Sequence, residues 1–92
     1  MSSTGTKERI EQLGIMPVLR ARSAEEGRAL VEALVAGGIV AMEVTMTVPG
    51  AIELLRKLKE EYGERLLLGS GTVTTAEQAV ATIEAGAEFV VS

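Results

Sequence analysis

The chain has 92 residues, 47% of them apolar but only Tyr62 and Phe89 aromatic, and its 13 acids, all Glu, outnumber its 9 Lys and Arg to leave a net charge of −4. A chain of this length makes one small domain or part of one, with a core of Leu, Val, Ile, Ala and Met. The acidic balance and scattered basic residues argue against a nucleic-acid surface, the absence of Cys, His and Asp argues against a metal site, and no apolar run reaches membrane-spanning length.

Lack of Cys and of a signal-peptide pattern fits a cytoplasmic protein. Residues 1–5 read as a disordered tail and residues 6–92 as one unit. Residues 6–13 predict a short leading helix, with Ile10 and Leu13 on one face, stopped by Gly14. Residues 15–20 predict a first strand in which Pro17 is tolerated near the start and Met16, Val18 and Arg20 point one way. Ser23-Ala24-Glu25-Glu26 has the S-x-x-E form of a capping box, and Leu30, Val31 and Leu34 follow at helical spacing until Gly37-Gly38.

The second strand spans residues 40–45. Period two puts Ala41, Glu43 and Thr45 on one side and Met42, Val44 and Met46 on the other, so one charge falls among apolar neighbours near the strand's C-terminal end. Such a carboxylate must be solvated, paired or chemically useful. Pro49 predicts the start of a second helix, with Ile52, Leu55, Leu58 and Tyr62 on one face and a solvated charged face opposite, ending at Gly63. Leu66-Leu67-Leu68-Gly69 is a short apolar third strand that runs into Ser70-Gly71-Thr72-Val73. Thr74-Thr75-Ala76-Glu77 repeats the capping-box form, Ala79, Val80 and Ile83 make the expected buried face of a third helix closed by Gly86, and residues 88–91 form the last strand.

This tandem βα repeat predicts an α/β fold with a parallel sheet. A doubly wound nucleotide-binding sheet would place G-x-G-x-x-G after the first strand, where Leu19-Arg20-Ala21-Arg22-Ser23 has no glycine, so a TIM (βα)8 barrel is favoured: its first four strands and three helices, preceded by the short helix. Chemistry in such barrels sits at the C-terminal ends of the strands, where Arg20, Glu43 and Thr72 fall. A cation, a carboxylate and a hydroxyl on one rim suit a small anionic substrate. Two plainer roles stand beside this: Arg20 pairing with Glu43, and Thr72 satisfying backbone groups before the helix cap.

Val18-Leu19-Arg20-Ala21, Ala36-Gly37-Gly38, Met42-Glu43-Val44-Thr45, Gly69-Ser70-Gly71-Thr72-Val73 and Ala85-Gly86-Ala87-Glu88-Phe89 together resemble the first half of the bacterial 2-keto-3-deoxy-6-phosphogluconate (KDPG) aldolases, which also cleave 4-hydroxy-2-oxoglutarate. The resemblance implies a (βα)8 barrel, usually trimeric, that performs class I chemistry through a Schiff base without cofactor or metal, its partner a small 2-keto acid. By the same resemblance Glu43 is the general acid and base and Thr72 binds the pyruvate carboxylate. Many members carry Arg four residues after the Glu; here that position is Thr47, which leaves Arg20 on the neighbouring strand to supply the charge.

The family's Schiff-base lysine lies on the sixth strand and its phosphate site in loops after the seventh and eighth. Lys7, Lys57 and Lys59, the lysines present, read as solvated surface residues. The 92-residue chain is therefore expected to be a truncated, inactive piece of an intact aldolase. Two alternatives stay open: a self-associating half-barrel in which two copies close eight strands, and a carboxylate-binding fragment without catalysis.

Overall fold

The computed structural model describes residues 16–92, so the expected tail and leading helix lie outside the described residues. Within them four strands, β1 (Val18–Leu19), β2 (Ala41–Thr45), β3 (Leu67–Gly71) and β4 (Phe89–Val90), alternate with helices α1 (Ala24–Ala36), α2 (Ala51–Tyr62) and α3 (Ala76–Glu84); a 3-10 turn, Gly63–Arg65, follows α2. Every neighbouring pair is parallel and the order across the sheet is the chain order. Right-handed crossovers that always advance in one direction keep their helices on one face, whereas a doubly wound sheet must reverse direction to cover both. Accordingly α1 packs on α2 and α2 on α3. This is the first half of a βα barrel.

The core lies between the sheet and the helices, where Leu19, Met42, Val44, Leu66 and Leu68 meet Val31, Leu54, Leu55 and Leu58. Met42 and Val44 thus face the helices, as period two requires, and Ala41, Glu43 and Thr45 turn to the face that a closed barrel encloses. Cα pairing sets Val18, Glu43, Gly69 and Phe89 in one row across that inner face.

Several boundaries differ from the sequence expectation. Regular pairing in β1 is limited to Val18–Leu19, although Pro17, which has no N–H to give, still accepts from Glu43 N at 3.0 Å. Strand β3 continues through Ser70 and Gly71 because the end of β2 keeps pairing with it, Met46 N donating to Gly71 O at 2.8 Å. Helix α2 begins at Ala51 instead of Pro49, and its cap is Gly50 at φ 72, a left-handed conformation that favours glycine. In α1, Ser23 Oγ accepts from Glu26 N at 3.1 Å as expected, while the Glu26 carboxylate reaches back to Arg22 N. Leu30 is exposed, and Gly27 lies against Leu54 and Leu19 in its stead, letting α1 approach closely.

The largest difference is in α3. Its cap is Thr75, which accepts from Gln78 N at 3.1 Å, while Thr74 donates from both N and Oγ1 to Gln78 Oε1. Of the expected inward residues, Ala79 is half-buried, but Val80 and Ile83 are 55% and 58% exposed; Thr82 and Ala85 are buried instead. The side that turns inward carries the partner of a polar group on the sheet. Ser70 faces the helices fully buried, and its hydroxyl donates to Thr82 Oγ1 at 3.0 Å, which donates in turn to Ala79 O at 2.9 Å. Turning Val80 and Ile83 inward would strand that hydroxyl in an apolar layer.

Removing Thr82 Oγ1 leaves Ser70 without its acceptor, whereas removing the Ser70 hydroxyl leaves Thr82 still bonded to Ala79 O. Thr82→Val should therefore cost about 1–3 kcal/mol in denaturant unfolding and Ser70→Ala less, with the double variant recovering part of the loss. Equal losses, or strict additivity, would contradict this assignment.

Candidate functional site

The inner face of β3 is bare at two places, and its neighbours fill both. A Cβ at residue 69 would fall within the Phe89 ring edge, and one at residue 71 would lie 2.7 Å from Glu43 Cδ and on its Oε1. Neither glycine has positive φ, so space and not backbone freedom is what they provide. Although Glu43 pairs in register with Gly69, its half-buried side chain leans along β3 to lie over Gly71, at the C-terminal end of the sheet.

Thr72 follows at once. Its φ of 57 makes it the one non-glycine with positive φ among the described residues, and a β-branched side chain in that region is strained by about 1–2 kcal/mol. Its side chain is exposed and makes no hydrogen bond among the described residues; Thr74 and Thr75 do the capping. Among the described residues, then, the Thr72 hydroxyl satisfies no backbone group before the helix cap.

Arg20, just beyond β1, is exposed, and among the described residues no ion pair joins it to Glu43. Thr47, exposed in the loop after β2, shares a 2.7 Å hydrogen bond between its Oγ1 and that of Thr45, which is buried on the inner face opposite Gly71. The strand ends thus gather Arg20, Glu43, Thr47 and Thr72 along one rim. Thr45, Gly71 and Phe89 join these neighbours without being marked as site components by local pattern alone. Thr45 was signalled by sharing the period-two face of Glu43, but the two lids over β3 needed cross-strand register to become visible.

The two described lysines lie elsewhere. Each helix returns antiparallel to the strands, so the end of α2 sits below the sheet, where Lys59 Nζ is 3.8 Å from Glu88 Oε1; Lys57 is exposed on the same helix. Lys7 is outside the described residues. Among the described residues no cluster of His, Cys, Asp or Glu fits a metal, and no helix is long and apolar enough to cross a membrane.

Relieving the left-handed strain at residue 72 with glycine offsets the extra freedom glycine gives the unfolded chain, about 0.4–1 kcal/mol. Thr72→Gly should leave stability unchanged or raise it by up to about 1 kcal/mol in urea unfolding. A loss above about 1 kcal/mol would show that the hydroxyl and methyl stabilise the fold.

Residues 6–92 match the model of the aldolase family described as KDPG and KHG aldolase. A 2-dehydro-3-deoxy-phosphogluconate aldolase of Treponema pallidum is 41% identical over 85 residues, which cover 92% of this chain and 40% of that protein. The KDPG aldolase of Legionella pneumophila, crystallised with pyruvate captured as a covalent carbinolamine intermediate, superposes with a TM-score of 0.75 at 40% identity over 84% of this chain and 37% of its own. The Zymomonas mobilis ZM4 enzyme with 3-phosphoglycerate gives a TM-score of 0.83 at 34% identity, over 99% and 43%. The chain spans about 40% of the length of such relatives. With this fold, and with the family model matched across nearly all its residues, the chain belongs to the KDPG and KHG aldolase family.

Proposed function

We propose that this chain supplies the carboxylate-binding and proton-transfer half of a class I aldolase. The substrates are KDPG, cleaved to pyruvate and glyceraldehyde 3-phosphate, or 4-hydroxy-2-oxoglutarate, cleaved to pyruvate and glyoxylate. The observation that carries the reading is the Glu43 carboxylate seated over Gly71, without an ion-pair partner among the described residues, on the same rim as Arg20 and Thr72. The covalent carbinolamine of the Legionella relative supports imine chemistry for the whole protein.

In that chemistry a lysine amine adds to the C2 carbonyl of the 2-keto acid and loses water to give an imine. A base takes the proton of the C4 hydroxyl, the C3–C4 bond breaks, and its electron pair moves into the imine to form an enamine as the aldehyde leaves. Protonation at C3 and hydrolysis then release pyruvate. Glu43 carries these protons, through a water, because its carboxylate stands at the rim where the reacting carbons would lie. Arg20 and Thr72 hold the keto-acid carboxylate by charge-assisted and hydroxyl hydrogen bonds, with Thr47 beside them. Fixing that carboxylate sets the C2 carbonyl at one place relative to Glu43.

A Schiff-base amine must be partly deprotonated in a sheltered site. Lys57 and Lys59 stand on α2, away from the rim, so in this reading the amine comes from barrel residues other than these and the 92-residue chain alone is inactive. The whole protein works on cytoplasmic 2-keto acids and assembles as a homo-oligomer.

In the complete protein, Glu43→Gln should slow cleavage by about 10²-fold or more with its fold intact, as measured by coupled assay of pyruvate release. Unchanged turnover would remove Glu43 from the mechanism. Pyruvate and borohydride should leave the 92-residue chain at its unmodified mass, and a reduced adduct on Lys7, Lys57 or Lys59 would contradict its inactivity.

A further inference from the structure

Glu43, Gly69 and Phe89 occupy one row of the sheet, with Gly69 in the middle and without a side chain. The space above Gly69 is therefore open to the side chain on either flank, and it holds only one. Phe89 takes it: the ring edge lies where a Cβ of residue 69 would be. The Glu43 carboxylate is left with the next bare place on the same strand, over Gly71, where Cγ and Cδ would lie 3.0 and 2.7 Å from a Cβ. The two places are two residues apart, about 6.6 Å along a strand. Which of them the carboxylate occupies decides whether it stands beside Thr72 or deep in the inner face.

We infer that Gly71 and Phe89 are positioning residues for Glu43: Gly71 provides the seat of its carboxylate, and Phe89 closes the lower seat. The inference rests on the reading of Glu43 as the proton carrier. Three features of the strand keep the seat at a fixed height. Met46 N holds Gly71 O at 2.8 Å, and Val91 N holds Ser70 O at 2.8 Å. On the reverse side the buried Ser70–Thr82 hydrogen bond ties the residue between the two glycines to α3. The segment G-S-G is thus bare toward the barrel interior and anchored toward the helices. Neither Gly71 nor Phe89 donates or accepts a proton from its side chain, so both act only through the acid. Phe89→Ala alters none of Arg20, Thr47 and Thr72, so the binding of the keto-acid carboxylate should be little affected when that variant displaces the acid, whereas Gly71 directly precedes Thr72.

The test places Gly71→Ala, Phe89→Ala and Glu43→Gln side by side in the complete protein, measuring cleavage, exchange of the pyruvate C3 protons with solvent, and thermal unfolding. Displacing the acid by an ångström or more should cut kcat and proton exchange in both positioning variants by about tenfold to 10²-fold, while in Phe89→Ala the KM for the keto acid moves by less than about threefold. A crystal structure of Phe89→Ala should show the carboxylate dropped over Gly69. If Glu43→Gln is inactive while both positioning variants keep kcat within about twofold, the positioning inference fails and the reading of Glu43 stands. If Glu43→Gln keeps full activity, that reading fails and takes the inference with it. Should Gly71→Ala not fold, Phe89→Ala decides alone, since it adds no bulk: a lost kcat with unchanged KM supports the inference, and a retained kcat overturns it.

Discussion

The inward face of β3 carries no side chain at residues 69 and 71, and the space this leaves is filled from both flanks, by the Phe89 ring over one glycine and the Glu43 carboxylate over the other. Much of the site follows from that absence. A carboxylate on the inner face of a parallel sheet needs room, and a strand with ordinary side chains would force it out toward solvent or into a compensating ion pair. Here the acid is accommodated by vacancy, so it stays free of the nearby arginine and available for proton transfer in the proposed reaction. Because the vacancy lies at the C-terminal end of β3, the acid is delivered to the rim where the strand ends meet.

The same strand is built for firmness on its other side. Leu66, Leu68 and Ser70 face the helices, all buried, and the Ser70 hydroxyl bonds to the side of α3 that turns inward. Helix α3 buries Thr82, the acceptor of that hydroxyl, and leaves Val80 and Ile83 outside. Beyond the strand, Thr72 takes a left-handed conformation unfavourable to a β-branched residue. Packed backbone that ends in a strained residue, its hydroxyl without a partner among the described residues, is the pattern of a segment whose geometry is imposed by its surroundings.

Most of the architecture is legible in the residues themselves. Period two in Ala41 to Thr45 separates the helix-facing side chains from the barrel-facing ones correctly, and the order of strand and helix patterns, with no glycine loop after β1, leads to the barrel. The rim residues Arg20, Glu43 and Thr72 are readable because strand ends are readable. Less legible is whatever depends on a partner distant in sequence. The buried face of α3 is not legible locally, because three apolar residues outweigh a threonine whose partner, Ser70, is visible only once the strand is paired to the helix. Pro49 signals the start of α2, yet a left-handed glycine cap at Gly50 overrides it. The seat of Glu43 needs the register of three strands, which local patterning does not encode.

The central claim is that the strand ends of this half-barrel hold a 2-keto acid by its carboxylate while Glu43, seated over Gly71, faces the reacting carbons. A crystal structure of the complete protein with pyruvate reduced onto its lysine tests it most directly. The pyruvate carboxylate should lie within hydrogen-bond reach of Thr72 Oγ1 and the Arg20 guanidinium, with the Glu43 carboxylate one water or less from the former C2 and C3. An adduct whose carboxylate lies away from Thr72 and Arg20, or a Glu43 turned from Gly71 toward solvent, would contradict it.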